Sequence, residues 1–171
     1  DGIEAQLHWG VPAPFMGATG KFTIDTSINY LANYKVQLLP GAAFLDYTNI
    51  SNGTAFDPSS VPPRATPRWK TLTTFGYRSD TVNVGLRWKY QGAMDDLSRI
   101  TAPNNVAVGV PAYATWDLFG SIKLFENYEL RAGVTNLFNR GLPFVASNQT
   151  GTDTALYDLI GRSFYIGIKA K

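Results

Sequence analysis

The 171-residue chain has no cysteine, which excludes a disulfide scaffold, a thiol nucleophile and every thiolate metal site. It has one histidine, His8. A serine triad would have to be built around that residue, and no Gly-x-Ser-x-Gly turn is present to carry a nucleophile. One histidine with scattered carboxylates offers no metal-ligand spacing, and no glycine-rich phosphate cradle occurs. The chain therefore does not read as an enzyme, and it presents no catalytic, cofactor or metal residues. Charge is also scarce, at 16% with a net +2 and no run of Lys and Arg, so nothing tracks a nucleic-acid backbone. No stretch approaches the roughly 18 apolar residues of a membrane helix, and no signal peptide leads the chain. It begins at Asp1 rather than Met, and reads as a piece of something longer.

What is present is a two-residue rhythm. Phe164, Ile166, Ile168 and Ala170 alternate with Ser163, Tyr165, Gly167 and Lys169, giving a strand with one apolar and one polar face. Its length is close to the about 9–11 residues with which a tilted strand crosses a bilayer. Upstream the same alternation recurs six times. Residues 2–9 set Ile3, Ala5, Leu7 and Trp9 against Glu4, Gln6 and His8, and residues 20–33 set Phe22, Ile24, Ile28 and Tyr30 against Lys21, Asp25 and Asn29. Trp69 to Tyr77 and Val82 to Tyr90 form a hairpin about the turn Arg78-Ser79-Asp80. Ala114 to Leu124 and Leu130 to Val134 form another about Glu126-Asn127. Repeated dyads with turns between them predict an all-β, antiparallel sheet or barrel.

The connections sort by length. Segments 34–66, 92–112 and 138–159 are long and carry breakers such as Pro40-Gly41, Asn52-Gly53 and Pro62-Pro63, whereas 78–80 and 125–127 are short. Transmembrane barrels have short periplasmic turns and longer extracellular loops, and with the last strand directed inward every long segment falls outside. The apolar face holds Trp9, Phe22, Tyr30, Trp69, Tyr77, Trp88, Tyr90 and Trp116, mostly near strand ends, where aromatic girdles sit. Two alternatives fit the alternation as well: a small structural or adhesive outer-membrane barrel, and a soluble ligand-binding β-barrel. The first conflicts with strand parity, since single-chain bacterial barrels close with even numbers and seven strands are counted here. Detergent dependence separates the second.

Beyond pattern, the segment from Tyr128 to Asn139, with its Val134-Thr135-Asn136-Leu137-Phe138-Asn139 core, and the closing Gly161-Arg162-Ser163-Phe164-Tyr165-Ile166-Gly167 resemble the end of a TonB-dependent outer-membrane receptor. Gly2-Ile3-Glu4, Pro67-Arg68-Trp69 and Thr115-Trp116-Asp117 are similar to that family too, so the likeness covers essentially the whole chain. It implies a transmembrane barrel of about 22 strands around a plug. Residues 1–171 would be its carboxy-terminal segment, with the plug domain absent. It further implies a bacterial outer-membrane location in a Gram-negative cell, outer-membrane lipid around the barrel, and a TonB-type energy-coupling partner engaged through the missing amino-terminal part. The cargo would be a scarce nutrient such as a siderophore-iron complex, a cobalamin-like cofactor or an oligosaccharide. Members usually end on an aromatic residue; this chain stops one position short of it, which points to trimming.

Ligand contacts are expected in the long loops, where binding residues on rigid scaffolds concentrate. Phe44, Tyr47, Phe56, Phe144 and Tyr157 are the aromatic candidates for stacking on a ligand, with mutual packing of the loops as the alternative role. Asp95-Asp96 reads as a solvated acidic pair.

Overall fold

The computed structural model describes residues 1–15, 19–37, 39–51, 65–124, 127–145, 151–153 and 156–170. In chain order the elements are β1 (Gly2–Pro12), β2 (Lys21–Leu31), β3 (Lys35–Gln37), β4 (Phe44–Asp46), β5 (Ile50–Ser51), β6 (Trp69–Arg78), β7 (Val82–Gln91), β8 (Asp95–Asp96), the helical turn α1 (Ser98–Thr101), β9 (Tyr113–Leu124), β10 (Tyr128–Thr135) and β11 (Ser163–Ala170). The seven long strands make one antiparallel sheet in the order β1-β2-β6-β7-β9-β10-β11. Each is thus bonded to the next long strand in sequence, the meander that a barrel wall requires. The expected strands are all present, with β1 running on to Pro12. No helix among the described residues is long and apolar enough to cross a membrane, a fact that bears on helices alone.

Register keeps the two faces separate across the whole wall. On one face Trp9 stands opposite Ile24, Ile24 opposite Phe75, Phe75 opposite Leu86 and Leu86 opposite Leu118, and Val134 then joins Leu118 to Phe164. On the other face the row is His8, Asp25, Thr74, Arg87 and Asp117. Because side chains alternate with period two, a one-residue slip anywhere would mix these sets. The apolar face has nothing packed on it among the described residues: Leu7 is 61% exposed, Ile166 76% and Ile168 73%. A soluble sandwich packs such a face against a second layer. A bare apolar face is what a lipid-facing barrel wall would present.

Aromatic contacts form two bands on this face. Near the long-loop end Tyr30 lies 4.4 Å from Trp69 between ring centroids, and Trp88 lies 6.0 Å from Trp116. Near the short-turn end Trp9 lies 6.3 Å from Phe22, and Phe15 the same distance from Tyr77. Phe22 and Tyr30 are separated by roughly 27 Å along β2 at about 3.4 Å per residue, a spacing suited to the two interfaces of a tilted wall.

The inner face contains a level at which glycines lie beneath neighbouring side chains. A Cβ added to Gly85 would come 2.4 Å from the Phe119 ring, and one added to Gly133 would come 2.5 Å from the Tyr165 ring. Gly76 lies under the Thr23 hydroxyl in the same way. Phe119 stands directly opposite both Gly85 and Gly133. Its ring therefore lies flat along the wall on the β7 side, while Tyr165 covers the β10 glycine.

The sequence predicts plain loops at 34–66 and 92–112, and here the structure differs. β3 and β4 form a small hairpin inside the first segment, with Val36 opposite Leu45, around the Pro40-Gly41 turn whose glycine has φ +84°. β5 and β8 pair in parallel, Ile50 with Asp95 and Ser51 with Asp96. Three-residue and two-residue strands are too short to show a period, so the pattern that reveals the wall is silent on them.

Candidate functional site

The described parts of the three long connections leave from the same end of the wall and pack into a cap. Its core is Met94, Val110, Val145 and Tyr157, all buried, with Ala65, Tyr113, Leu142 and Leu156 packed around them. Met94 and Val110 exchange both backbone hydrogen bonds, at 2.9 and 2.7 Å. Arg99 ties two loops together: its guanidinium bonds Asp95 Oδ2 at 2.5 Å and donates to the Thr48 carbonyl at 3.4 Å. The expectation of a solvated Asp95-Asp96 pair holds for half of it: Asp95 stays half-exposed beside Arg99, whereas Asp96 is buried at 1% exposure. Nearby, Thr48 donates from its side chain and its backbone N–H to the Asp46 carboxylate, holding that carboxyl below its usual range.

The Asn136 to Asn139 stretch, the most specific part of the resemblance, is a turn. Both asparagines have positive φ, 51° and 50°, a conformation that asparagine tolerates better than other residues with a Cβ. The Asn136 side chain then brackets Arg140, accepting from its N–H at 2.8 Å and donating to its carbonyl at 3.0 Å. Asn139 Oδ1 accepts from Arg162 N–H at 3.2 Å, which joins the turn to the start of the last strand.

Between this cap and the inner face lies a cavity of about 480 Å³. Asn29, Lys70, Lys89, Gln91, Tyr113 and Tyr157 line it, with loop residues Leu156 to Asp158 and Ile160 on the other side. Tyr157 is the hinge pin of this arrangement. Its hydroxyl accepts from Gln91 Nε2 at 3.1 Å, and its ring meets Tyr113 edge-on at 5.1 Å. Burial pushes the Tyr157 phenol up to about 12.

Deeper in the wall Asp117, 7% exposed, accepts from Asn136 N–H at 3.0 Å and pairs with Lys89 Nζ at 2.6 Å. The Arg87 guanidinium rides 5.1 Å above the Phe119 ring. His8 bonds Asp25 directly across the β1–β2 pair. Among the described residues no group of three or more His, Cys, Asp or Glu side chains is placed to hold a metal ion.

The aromatic candidates divide. Phe44 and Phe144 are exposed, at 65% and 70%, whereas Tyr47 and Tyr157 are each 4% exposed. Tyr157 alone of these lines the cavity, and Tyr47 is held by backbone bonding to Tyr34 and by the Thr66 hydroxyl on its carbonyl. Phe56 lies outside the described residues. Sequence reasoning passed over Lys70, Lys89, Gln91 and Tyr113, which line the cavity from strand ends rather than from loops. The signal was available: they are the polar-face residues next to the long connections.

A family model for the TonB dependent receptor-like β-barrel matches residues 1–137. Among solved structures, a mutant of the ferric enterobactin receptor from Pseudomonas aeruginosa is similar, with a TM-score of 0.62 and 21% sequence identity. The alignment covers 99% of this chain and 22% of that one; at such identity the likeness concerns fold alone. No curated protein matches. With the barrel model spanning most of its length and a seven-strand meander of matching design, this chain belongs to the TonB-dependent receptor-like β-barrel family.

Proposed function

We propose that residues 1–171 are the carboxy-terminal part of the barrel of an outer-membrane receptor that imports a scarce nutrient, with energy drawn through a TonB-type partner by a part of the protein outside this chain. The single observation that carries this reading is the packed cap over the inner face, with a donor-rich cavity of about 480 Å³ beneath it. A wall that only anchors or adheres gains nothing from a cavity opening on its lumen. Family membership supports the outer membrane and the coupling partner; the aromatic bands and the bare apolar face support lipid contact. Cargo meets the cap first, and Phe44 and Phe144 are exposed there for stacking.

Two measurements test the reading together. Deletion of the gene should abolish energy-dependent uptake of one limiting nutrient, and unchanged uptake across iron chelates, cobalamins and oligosaccharides would refute it. Cysteine substitutions at Asn104, an exposed loop position, and at Asp80, in a short turn, report orientation in the full receptor. The first should react with a membrane-impermeant thiol reagent on intact cells and the second only after the outer membrane is opened. The reverse pattern would place the cap in the periplasm.

A further inference from the structure

The inner face of β6, β7 and β9 is strongly one-sided in charge. It carries Lys70, Arg78, Arg87, Lys89 and Lys123 against a single carboxylate, Asp117. That carboxylate is already committed to Lys89 and to the Asn136 N–H. Lys70 and Arg87 make no ion pair with any described residue. Arg87 is the more telling of the two. Asp117 stands directly opposite it in the register, yet passes it by, and Arg87 Nε is buried without a hydrogen-bond partner. A buried guanidinium nitrogen left unpaired is costly, so such groups are normally satisfied.

These cations descend in order. Lys70 is level with Gln91 at the mouth of the wall, Lys89 lies two residues deeper on β7, and Arg87 two residues deeper again. At about 3.4 Å per residue the steps are roughly 7 Å. Lys70 and Lys89 line the cavity, and Arg87 waits below it on the face of Phe119. Guanidinium is weakly hydrated and its fork suits carboxylate and phosphate oxygens.

We propose that Lys70 and Arg87 form an anion track, so that the cargo of this receptor is a solute bearing two or more anionic oxygen groups. Lys70 meets it in the cavity, and Arg87 takes the next anionic group once it passes the neutralised Lys89–Asp117 pair. This deepens the uptake reading above and rests on it. Most described Lys and Arg side chains make no ion pair, and what sets Arg87 apart is its buried Nε without a hydrogen-bond partner. Lys70 joins it by its place on the cavity wall.

The test uses the full-length receptor in detergent and two pyrene dyes of one ring system, one trisulfonated and one bearing trimethylammonium groups, followed by fluorescence anisotropy. The trisulfonate should bind saturably and more weakly as salt rises, while the cationic dye should not bind. Lys70→Gln and Arg87→Gln should each weaken the trisulfonate by about tenfold, the loss expected of one charge-assisted contact. Lys70→Arg should retain most of the affinity and Arg87→Lys a part of it, which separates lost charge from lost fold. Equal binding of both dyes, or wild-type affinity in either Gln variant, would overturn the track; the latter at Arg87 would assign that residue to protein packing within the lumen. Failure here with uptake lost on gene deletion sinks the track alone. Charge-selective binding with uptake intact sinks the transport reading instead.

Discussion

Lys89 Nζ lies 2.6 Å from Asp117 Oδ2, although the residue directly across the β7–β9 ladder from Asp117 is Arg87. The pair is diagonal, and it brings the mouth of the wall and the base of the cap together. The other Asp117 oxygen accepts from Asn136 N–H, the first residue after β10. One buried carboxylate thus fixes two strands and the departure of the last long loop.

Removing it should be felt in the fold. Asp117→Ala leaves the Asn136 N–H without its acceptor and should cost about 1–3 kcal/mol, while Asp117→Asn keeps an oxygen for that N–H and should cost less. The Lys89 contribution is small because that side chain is 47% exposed and screened. Urea unfolding of the full receptor in phospholipid vesicles measures both, and equal stability of Asp117→Ala and wild type would remove the carboxylate from this role.

Leu86 and Leu72 give a paired test of facing. Leu86 lies on the apolar face between Phe75 and Leu118, and Leu72 on the polar face between Ser27 and Lys89. Leu86→Arg should cost about 2–4 kcal/mol near the bilayer midplane, and Leu72→Arg should cost far less. Equal penalties in reversible unfolding would mean that both faces meet the same medium.

Under the Phe119 ring no side chain fits at Gly85. Gly85→Ala should destabilise the barrel by about 1–3 kcal/mol through overpacking. Adding Phe119→Ala should recover part of that, because the two changes act on one contact. Strict additivity of the two in a double-mutant cycle would show that the ring does not rest on the glycine.

Docking of the cap depends on a neutral Tyr157. Its phenol is raised from 10.0 to about 12 by burial, so the undocked form ionises first as pH rises. The stabilisation is complete below pH 10, falls between 10 and 12 and is gone above that window. Tyr157→Phe should lose about 1 kcal/mol with the Gln91 hydrogen bond, yet show a shallower decline in thermal stability across this pH window. An identical decline in wild type and variant would locate the titration elsewhere.

How far these features were legible depended on length. The wall strands run 8 to 12 residues, long enough for alternation to declare both faces, and the aromatics at their ends declared the bands. The hairpin of β3 and β4 and the parallel pairing of β5 with β8 have only two or three residues in each strand, and β5 and β8 lie in different loops. Tyr157 was visible as a loop aromatic, but its burial between Gln91 and Tyr113 depends on three-dimensional convergence that no local pattern encodes. Lys70 and Lys89 were visible as polar-face residues, without a sign that the cap would roof them. The Asp117 to Lys89 diagonal follows from side-chain reach rather than from register.

The glycines beneath Phe119 and Tyr165 resolve an ambiguity that alternation leaves open. A strand that slides by two residues keeps every apolar side chain facing lipid, so a binary pattern scores the slipped and native pairings alike. A two-residue slide of β7 would put Arg87 or Asn83 where Gly85 belongs, beneath the Phe119 ring, and neither has room there. The covered glycines act as index marks on a ruler whose divisions are otherwise identical, letting a chain written in a two-letter alphabet assemble in one alignment.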